Sequence, residues 1–283
     1  MTPSKRHTSL FGIGLTIESE YQFSESLILR PFTLNSDIEW LKTRTRSQRD
    51  YGFICALAKV ITFELEISAA AAKDVAIAGW NAQWILILIS IYLRSPVYWP
   101  LNGYRSDPTE QPRKVLVGNI FFSHRIFSPP VPVPISTLDK CAASIASFNN
   151  LLSDERFSFA ASVTAHNYNE PKASVRVAAI WAAIESLLGF ESELRFRIAA
   201  AAARLLEPQS DARYLRFKNV QKLYDLRSKC VHGGNLKNKD QETAVLSSLG
   251  LLCELLIFFM KRGSLLDKAE RDRIFFSDSS PLN

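Results

Sequence analysis

Nine residues near the middle of the chain, SPPVPVPIS from Ser128 to Ser136, contain four prolines. Because proline lacks a backbone N–H and has a fixed φ, neither a helix nor a central strand can continue through this segment. We therefore expect an extended linker at residues 128–136, between a domain at residues 1–127 and a second domain at residues 137–275. A short tail, residues 276–283, follows. The 283 residues are enough for two domains of ordinary size.

The first domain carries patterns of both strands and helices. Strands are predicted at Ser26–Phe32, at Lys114–Phe122, and at Ile61–Ile67, where alternating apolar and polar residues indicate a half-buried strand. An alanine-rich helix is expected from Ala69 to Leu93, and the proline-containing segment Val97–Pro112 reads as a loop. The first domain is therefore predicted to be mixed α/β. Its role is open, and a sensor or a regulatory domain are the two candidates.

After the linker, the spacing of apolar residues predicts helices. Short connections between the later helices favour antiparallel neighbours, as in an up-and-down bundle. The predicted fold class is accordingly α+β, with a mixed N-terminal domain followed by an all-α four-helix bundle. The helical segments are Leu138–Leu152, Lys172–Leu188, Glu193–Leu206, Phe217–Val231 and Asp240–Lys261.

The apolar segments and the cysteines indicate in which cellular compartment the protein is expected. The most apolar window, Trp84–Leu93, has about half of the ~20 residues that a membrane span needs, so a buried helix is the favoured interpretation over a span. The N-terminus has no long apolar core before Glu18 and Glu20, so no secretory signal is expected. The four cysteines are scattered and form no CxxC pair, which favours free thiols in a reducing compartment. We expect a cytoplasmic protein with no membrane contact.

The stretch LYDLRSKCVHGGN, Leu223–Asn235, carries the chemistry most worth testing. Arg227 offers a permanently charged fork suited to a phosphate, and a histidine such as His232 can give or take a proton near neutral pH. A regular helix would place them about 140° apart around its axis. The two side chains can converge only if the helix unwinds near Val231, which Gly233 makes easy.

Two interpretations of this stretch stay open on spacing alone. A histidine at a helix C-terminus is favoured by the helix dipole and can bond the last carbonyls, and Arg227 could simply pair with Asp225 or Glu185. Alternatively, a base and a cation are what RNA cleavage by internal transfer needs, with the base activating the ribose 2′-hydroxyl. That chemistry requires no metal, and neither a metal cluster nor a cofactor site is predicted.

The ordered segments WAAIESLLG (Trp181–Gly189), SELRFRIAAAAARLL and LYDLRSKCVHGG resemble the HEPN domain family, in its Apea-like branch, over about Lys172–Gly263. The family motif is Arg, four to six residues, then His, which Arg227 and His232 match. The residue after the arginine is often Asn, Asp or His in active members and is Ser228 here. Ser228 can still donate a hydrogen bond.

The resemblance implies a metal-independent endoribonuclease, or a catalytically silent relative used for RNA binding or oligomerisation. Many members of the family work in antiphage defence or as toxins of toxin–antitoxin pairs. Members commonly form homodimers through the helical domain with facing motifs, which could supply His232 twice. The expected partners are therefore RNA, a second copy, and a regulatory partner or trigger for the N-terminal domain. Glu185 is favoured as an orienter of Arg227 over a plain solvated glutamate.

Basic residues concentrate just before and within this motif. The window from Arg195 to Lys229 holds nine basic and three acidic residues, so its net charge of +6 equals that of the whole chain. If the basic side chains share one rim, they would bind an RNA backbone. An ordinary solvated helix surface accounts equally well for the number of basic residues. Glu193 and Arg197, four residues apart, are expected to form an ordinary helix pair. The RNA-binding candidates are Arg213, Arg216, Lys218, Lys222 and Lys229.

Overall fold

The computed structural model describes residues 6–45, 47–104, 110–118, 129–233 and 237–276. The chain divides into two compact units, Met1–Ala142 and Ala143–Asn283. The first unit contains an antiparallel sheet, and the second is built from helices. This arrangement confirms a mixed fold, with an antiparallel sheet in the N-terminal part and helices in the C-terminal part. The predicted tail beyond Phe276 lies outside the described residues.

Within the described residues, six strands form one antiparallel sheet in the order β3-β4-β5-β1-β6-β7. The predictions at Ser26–Phe32 and Ile61–Ile67 are confirmed as β4 and β5. The strand predicted at Lys114–Phe122 begins as β7, and its residues 119–122 lie outside the described part of the chain. The strands are β1 Arg6–Ile13, β3 Tyr21–Ser24, β4 Leu27–Pro31, β5 Phe63–Ala69, β6 Tyr98–Tyr104 and β7 Lys114–Val117.

Strand β5 is buried on both faces, so the expectation of a half-buried strand is wrong. It lies between β4 and β1, inside the sheet, and its two glutamates are covered. Glu64 is fully buried and accepts a hydrogen bond from the Ser9 hydroxyl at 2.5 Å. Glu66 lies 2.9 Å from an Arg30 guanidinium nitrogen and 3.1 Å from Nδ1 of His7. The alternating pattern predicts that these carboxylates are exposed, but hydrogen-bonding and charged partners stabilise them in the buried strand.

Strand β6 corrects the loop expected over Val97–Pro112. Tyr98–Tyr104 is paired with β1 on one side and β7 on the other, although it contains Pro100. The register between β1 and β6 shifts between Phe11 and Ile13, opposite this proline. Bulges are among the places where a sheet tolerates a proline, because no ladder N–H is needed there.

Three helices accompany the sheet in the first unit: α1 Ile38–Arg44, α2 Gln48–Ala58 and α3 Ala72–Leu93. Side chains cap the first two, since Asp37 accepts from the Trp40 N–H and Ser47 accepts from the Asp50 N–H. The helix predicted from Ala69 to Leu93 is confirmed as α3. Helix α3 packs on β1 and β5, and most of its apolar C-terminal half is buried, as predicted.

The proline-rich segment differs from the predicted extended linker in its described part, residues 129–136. Val131–Pro132 form strand β8, which pairs in parallel with β2, Leu15–Thr16. The N–H groups of Val131 and Val133 donate to the carbonyls of Gly14 and Thr16 at 3.0 and 2.8 Å. Alternate prolines leave these two donors on one edge, so a short strand forms where a longer one could not. Helix α4, Ile135–Leu151, begins inside the same segment and contains the division between the units.

The described part of the second unit is built from helices. The four helices predicted after residue 171 are all present, although α8 begins seven residues earlier than predicted, and the segment before them gains the unpredicted helix α5. These elements are α5 Glu155–His166, α6 Ala173–Leu188, α7 Leu194–Leu206, α8 Ser210–Val231, α9 Asn238–Arg262 and α10 Lys268–Arg273. Helix α6 packs against α5, α8 and α9, and α7 packs against α8 and α9.

The interior of the helical unit is held by apolar packing and by buried polar contacts, one of which joins α6 to α9. Trp181 of α6 is fully buried, and its indole N–H donates to the Ser248 hydroxyl of α9 at 3.0 Å. The apolar residues of α9 recur at helical spacing and are buried, as the sequence predicts. They include Val245, Leu249, Leu252, Leu256 and Phe259.

Two described helices, at Lys73–Leu93 and Asn238–Arg262, are long and apolar enough to cross a membrane by length and composition. Of their most apolar windows, 56% and 67% of the residues are buried inside the protein. Core helices of water-soluble proteins pass the same test, so these segments are weak evidence for a span.

Candidate functional site

The end of helix α8 fixes the relation between Arg227 and His232. The His232 N–H still donates to the Ser228 carbonyl at 3.0 Å, and the left-handed turn comes only at Gly233, with φ of +76°. Helix α8 is therefore regular up to Val231 and ends at the C-cap residue His232, so the unwinding near Val231 that convergence of the two side chains would require does not occur. Five helical steps leave Arg227 and His232 about 140° apart around the axis.

Arg227 lies half-buried between α8 and α6. Its Nη2 is 3.5 Å from Oε1 of Glu185, and each of these two side chains is 22% exposed. The guanidinium carbon also lies 5.4 Å from the centre of the Tyr224 ring. That ring packs edge-on against Trp181 at 5.1 Å, so Tyr224 acts as a core or rim aromatic. The structure thus brings Glu185 to the arginine that it is predicted to orient.

Among the described residues, the guanidinium of Arg227 has hydrogen-bond donors without an acceptor. No hydrogen bond to its guanidinium is formed within the described residues, and its Nε is buried without a partner there. By contrast, Arg195 of α7 and Arg216 of α8 each donate at least two hydrogen bonds to a carboxylate. A half-buried guanidinium with open donors is a suitable receptor for an oxyanion such as phosphate.

Glu185 is poorly solvated. Burial raises the pKa of its carboxyl above the usual value, and the positive charge of Arg227 opposes that shift only in part. Its Oε1 has no hydrogen-bond partner among the described residues. The carboxylate therefore pairs with Arg227 through charge and leaves the donors of the guanidinium available.

His232 and Ser228 occupy the outer side of the same helix end. His232 is exposed, and Ser228 is half-buried with its carbonyl used by the His232 N–H. In the described part of the chain, no hydrogen bond or ion pair joins Arg227 to His232. The single chain therefore presents the two motif residues on different sides of α8, and neither lies in the core.

Asp225 takes another partner. Arg195 of α7 forms a two-pronged contact with its carboxylate, with N–O distances of 2.6 and 2.7 Å. These hydrogen bonds lower the pKa of Asp225 below its usual value. Asp225 thus ties α8 to α7 and leaves Glu185 as the acidic neighbour of Arg227.

The five RNA-binding candidates separate into two groups. Arg213 donates to the carbonyls of Glu207 and Pro208 at 2.7 and 2.6 Å, at the end of α7. Arg216 contacts the carboxylates of Glu207 and Glu254 at 2.8 and 3.0 Å, which joins α7, α8 and α9. Both arginines are therefore engaged in holding helices together.

The three lysines form the second group. Lys218, Lys222 and Lys229 are exposed, and steps of four and seven residues keep them within about 40° of one another around α8. By the same count His232 lies on their side of the helix, whereas Arg227 lies about opposite. We call Lys218, Lys222, Lys229 and His232 the basic face of α8. Only three of the five predicted RNA-binding residues lie on this face, so the exposed basic surface is smaller than the sequence predicts.

Other features complete this region. Glu193 and Arg197 form the expected i,i+4 pair, with 3.5 Å between Oε2 and Nε. No group of three or more His, Cys, Asp or Glu side chains able to hold a metal ion occurs among the described residues. The Arg195–Asp225 pair and the Tyr224–Trp181 contact depend on helix packing, so no local pattern in the sequence predicts them.

Comparison with known protein families, curated proteins and solved structures finds no match to this chain.

Proposed function

We propose that the helical unit is a HEPN-type, up-and-down bundle that acts as a metal-independent endoribonuclease. In this reaction a base removes the proton of a ribose 2′-hydroxyl, whose oxygen attacks the adjacent phosphorus. The bond to the 5′-oxygen breaks, and an acid returns a proton to that leaving group. The products are a 2′,3′-cyclic phosphate and a free 5′-hydroxyl.

The observation that carries the proposal is the state of Arg227. Its side chain is positioned by Glu185 and Tyr224, yet its hydrogen-bond donors are unused among the described residues. Such a group can bind two oxygens of a phosphate and stabilise the charge that builds up on them during attack. Glu185 serves as the orienting residue in this scheme, and Ser228 is a further donor near the phosphate.

His232 supplies acid–base chemistry from the basic face of α8. Because it lies about 140° from Arg227 on one chain, we place the complete site between two copies of the helical unit. Arg227 of one copy and His232 of the other then meet one phosphate, and this single His232 takes the proton from the 2′-hydroxyl and returns it to the 5′-oxygen. Lys218, Lys222 and Lys229 hold the RNA backbone nearby.

The direct test is RNA cleavage by the purified chain in EDTA. Arg227→Ala and His232→Ala should each lower the cleavage rate by about 10²-fold or more, the usual loss for a charge-stabilising or acid–base group. Arg197→Ala and His166→Ala remove a half-exposed arginine and an exposed histidine of the same unit and serve as matched controls. Wild-type rates in the two motif variants would contradict the assignment.

A second candidate function is a catalytically inactive HEPN module that binds RNA or mediates oligomerisation. The position of His232 favours it, because this residue shares the exposed basic face with three lysines and lies away from Arg227 on the same chain. In that case the chain binds RNA without cutting it, and His232→Ala lowers the melting temperature without changing any RNA product.

The cellular setting follows from the family resemblance alone. We propose action on RNA in the cytoplasm, in antiphage defence or as a toxin of a toxin–antitoxin pair. The sheet-containing unit would then sense a trigger or bind a regulatory partner that restrains the helical unit. Release of that restraint by the trigger would switch on cleavage.

A further inference from the structure

A pocket of about 450 Å³ lies in the N-terminal unit, between helix α3 and strands β1 and β6. Its sheet side includes Thr8 of β1 with Asn102 and Tyr104 of β6. The β1–β6 register places these residues on one face of the sheet, because they occupy alternate positions of paired strands. Gly79, Trp80 and Gln83 face them from α3 at helical spacing. This volume is typical of small-molecule sites.

Aromatic side chains stand at the rim of the pocket. Trp80 is 69% exposed and Tyr104 is 42% exposed. Large aromatic rings that flank a cavity and remain open to solvent are suitable surfaces for a planar ligand to stack on. The tryptophan contributes little to the protein core, so its exposure is informative about binding.

Amide side chains supply the polar contacts. The oxygen of the Gln83 amide accepts from the Trp99 indole N–H at 3.3 Å, which leaves the Gln83 NH2 to donate to a ligand. The Asn102 amide makes no side-chain hydrogen bond within the described residues and offers both a donor and an acceptor. Together they match a ring edge that carries adjacent donor and acceptor groups.

Gly79 keeps the space between helix and sheet open. Glycine in a helix interior costs about 1 kcal/mol relative to alanine, so its presence within α3 calls for a reason. A Cβ at residue 79 would meet only the Thr8 methyl group, at 3.5 Å, which is an ordinary contact. Packing therefore does not require glycine, but any longer side chain would extend into the pocket.

The pocket walls carry no carboxylate, ammonium or guanidinium group among the described residues. His7 borders the pocket, but its ring contacts Glu66 on the opposite face of the sheet. We propose that this pocket binds an uncharged planar heterocycle of the nucleobase or nucleoside class. The ring stacks on Trp80, and its edge hydrogen-bonds with Asn102 and Gln83. This site is separate from the helical unit and does not depend on ribonuclease activity.

Titration calorimetry of the full chain with adenosine and cytidine tests the proposal. At least one should bind, and Trp80→Ala or Asn102→Ala should weaken that binding by about tenfold, the scale of one stacking contact or one ring-edge contact. Gly79→Met should abolish binding while Gly79→Ala, whose Cβ fits, leaves it unchanged. Thermal melting confirms that each variant folds, and Trp80 is exposed enough for its removal to leave the fold intact.

Three outcomes would overturn the proposal. The first is that neither nucleoside binds at millimolar concentration. The second is that binding survives unchanged in both Trp80→Ala and Gly79→Met. The third is that adding a 5′-phosphate to the bound nucleoside strengthens binding tenfold, because the described lining residues include no lysine or arginine that would favour a charged ligand.

Discussion

Glu185 is the residue whose ionisation bears most directly on the proposed site. Because burial raises its pKa in the folded chain, ionising it costs the folded state more than the unfolded state. Its contribution to stability is therefore most favourable below the unfolded pKa of about 4.3 and is lost as pH rises through the folded value. Between pH 4 and pH 7, the wild type should lose stability relative to Glu185→Gln.

Urea unfolding of both chains at a series of pH values measures this difference. Glu193→Gln, which removes an exposed carboxylate at the start of α7, is the matched control and should leave the pH dependence as in the wild type. A constant offset between wild type and Glu185→Gln over the whole range would show that Glu185 is not desolvated in the folded protein.

The hydrogen bond between Trp181 and Ser248 can be tested by substitution in the core of the helical unit. Replacing Ser248 with alanine leaves the buried Trp181 N–H without its acceptor, so the free energy of unfolding should fall by about 1–3 kcal/mol. Ser247→Ala, at the neighbouring exposed position of α9, makes the same chemical change outside the core and should alter stability by less than about 0.5 kcal/mol. Equal effects in chemical denaturation would contradict the contact.

At this scale the sequence identifies residue types but not their partners. Arg227 could be assigned to Asp225 or Glu185 from spacing, and only the packing of α7 on α8 decides that Arg195 takes Asp225. Glu64 and Glu66 alternate with apolar residues, which predicts exposure, yet both are buried because Ser9, Arg30 and His7 face them across the sheet. Long-range contacts of this kind leave no local pattern.

Among the elements, helix α8 carries two groups of basic residues. Arg213 and Arg216 hold helices together, whereas Lys218, Lys222 and Lys229 are exposed. Substituting alanine for Lys218, Lys222 and Lys229 together should weaken binding of a single-stranded RNA. It should also reduce the slope of log affinity against log salt by about two, since each phosphate contact contributes about 0.7. The melting temperature should stay close to that of the wild type, because these side chains are exposed.

Arg216→Ala is the structural counterpart in the same helix. It removes the contacts to Glu207 and Glu254 and should cost about 1–2 kcal/mol in denaturant unfolding, with the salt slope of RNA binding unchanged. An unchanged salt slope in the triple lysine variant, or a reduced one in Arg216→Ala, would contradict the separation of the two groups.

Helices were more predictable than strands in this chain. Apolar spacing and the glycines at 189, 233 and 263 placed four C-terminal helices to within a few residues, except at the polar start of α8. Strand β6 was missed because Pro100 is a strand breaker by itself, and only its pairing opposite a bulge in β1 makes it tolerable. Strand order and burial depend on neighbours that come from distant parts of the sequence.

At the scale of the whole molecule, the proposed site requires two copies of the chain, and complementation between inactive variants tests that requirement. Arg227→Ala and His232→Ala chains should each be inactive alone. In a mixed dimer, one composite site regains Arg227 from one copy and His232 from the other. Mixing the two variants, after unfolding and refolding together, should therefore restore a measurable part of wild-type cleavage.

Two affinity tags identify the mixed dimers, so that cleavage is measured on isolated species. A site contained within one chain predicts no activity in the mixed dimer, because neither copy would hold both residues. The geometry of α8 argues for restoration, since the helix is regular up to Val231 and therefore places the Cα of His232 about 140° around the axis from that of Arg227. Active monomers in sedimentation at the assay concentration would exclude the shared site, whichever residues prove to be catalytic.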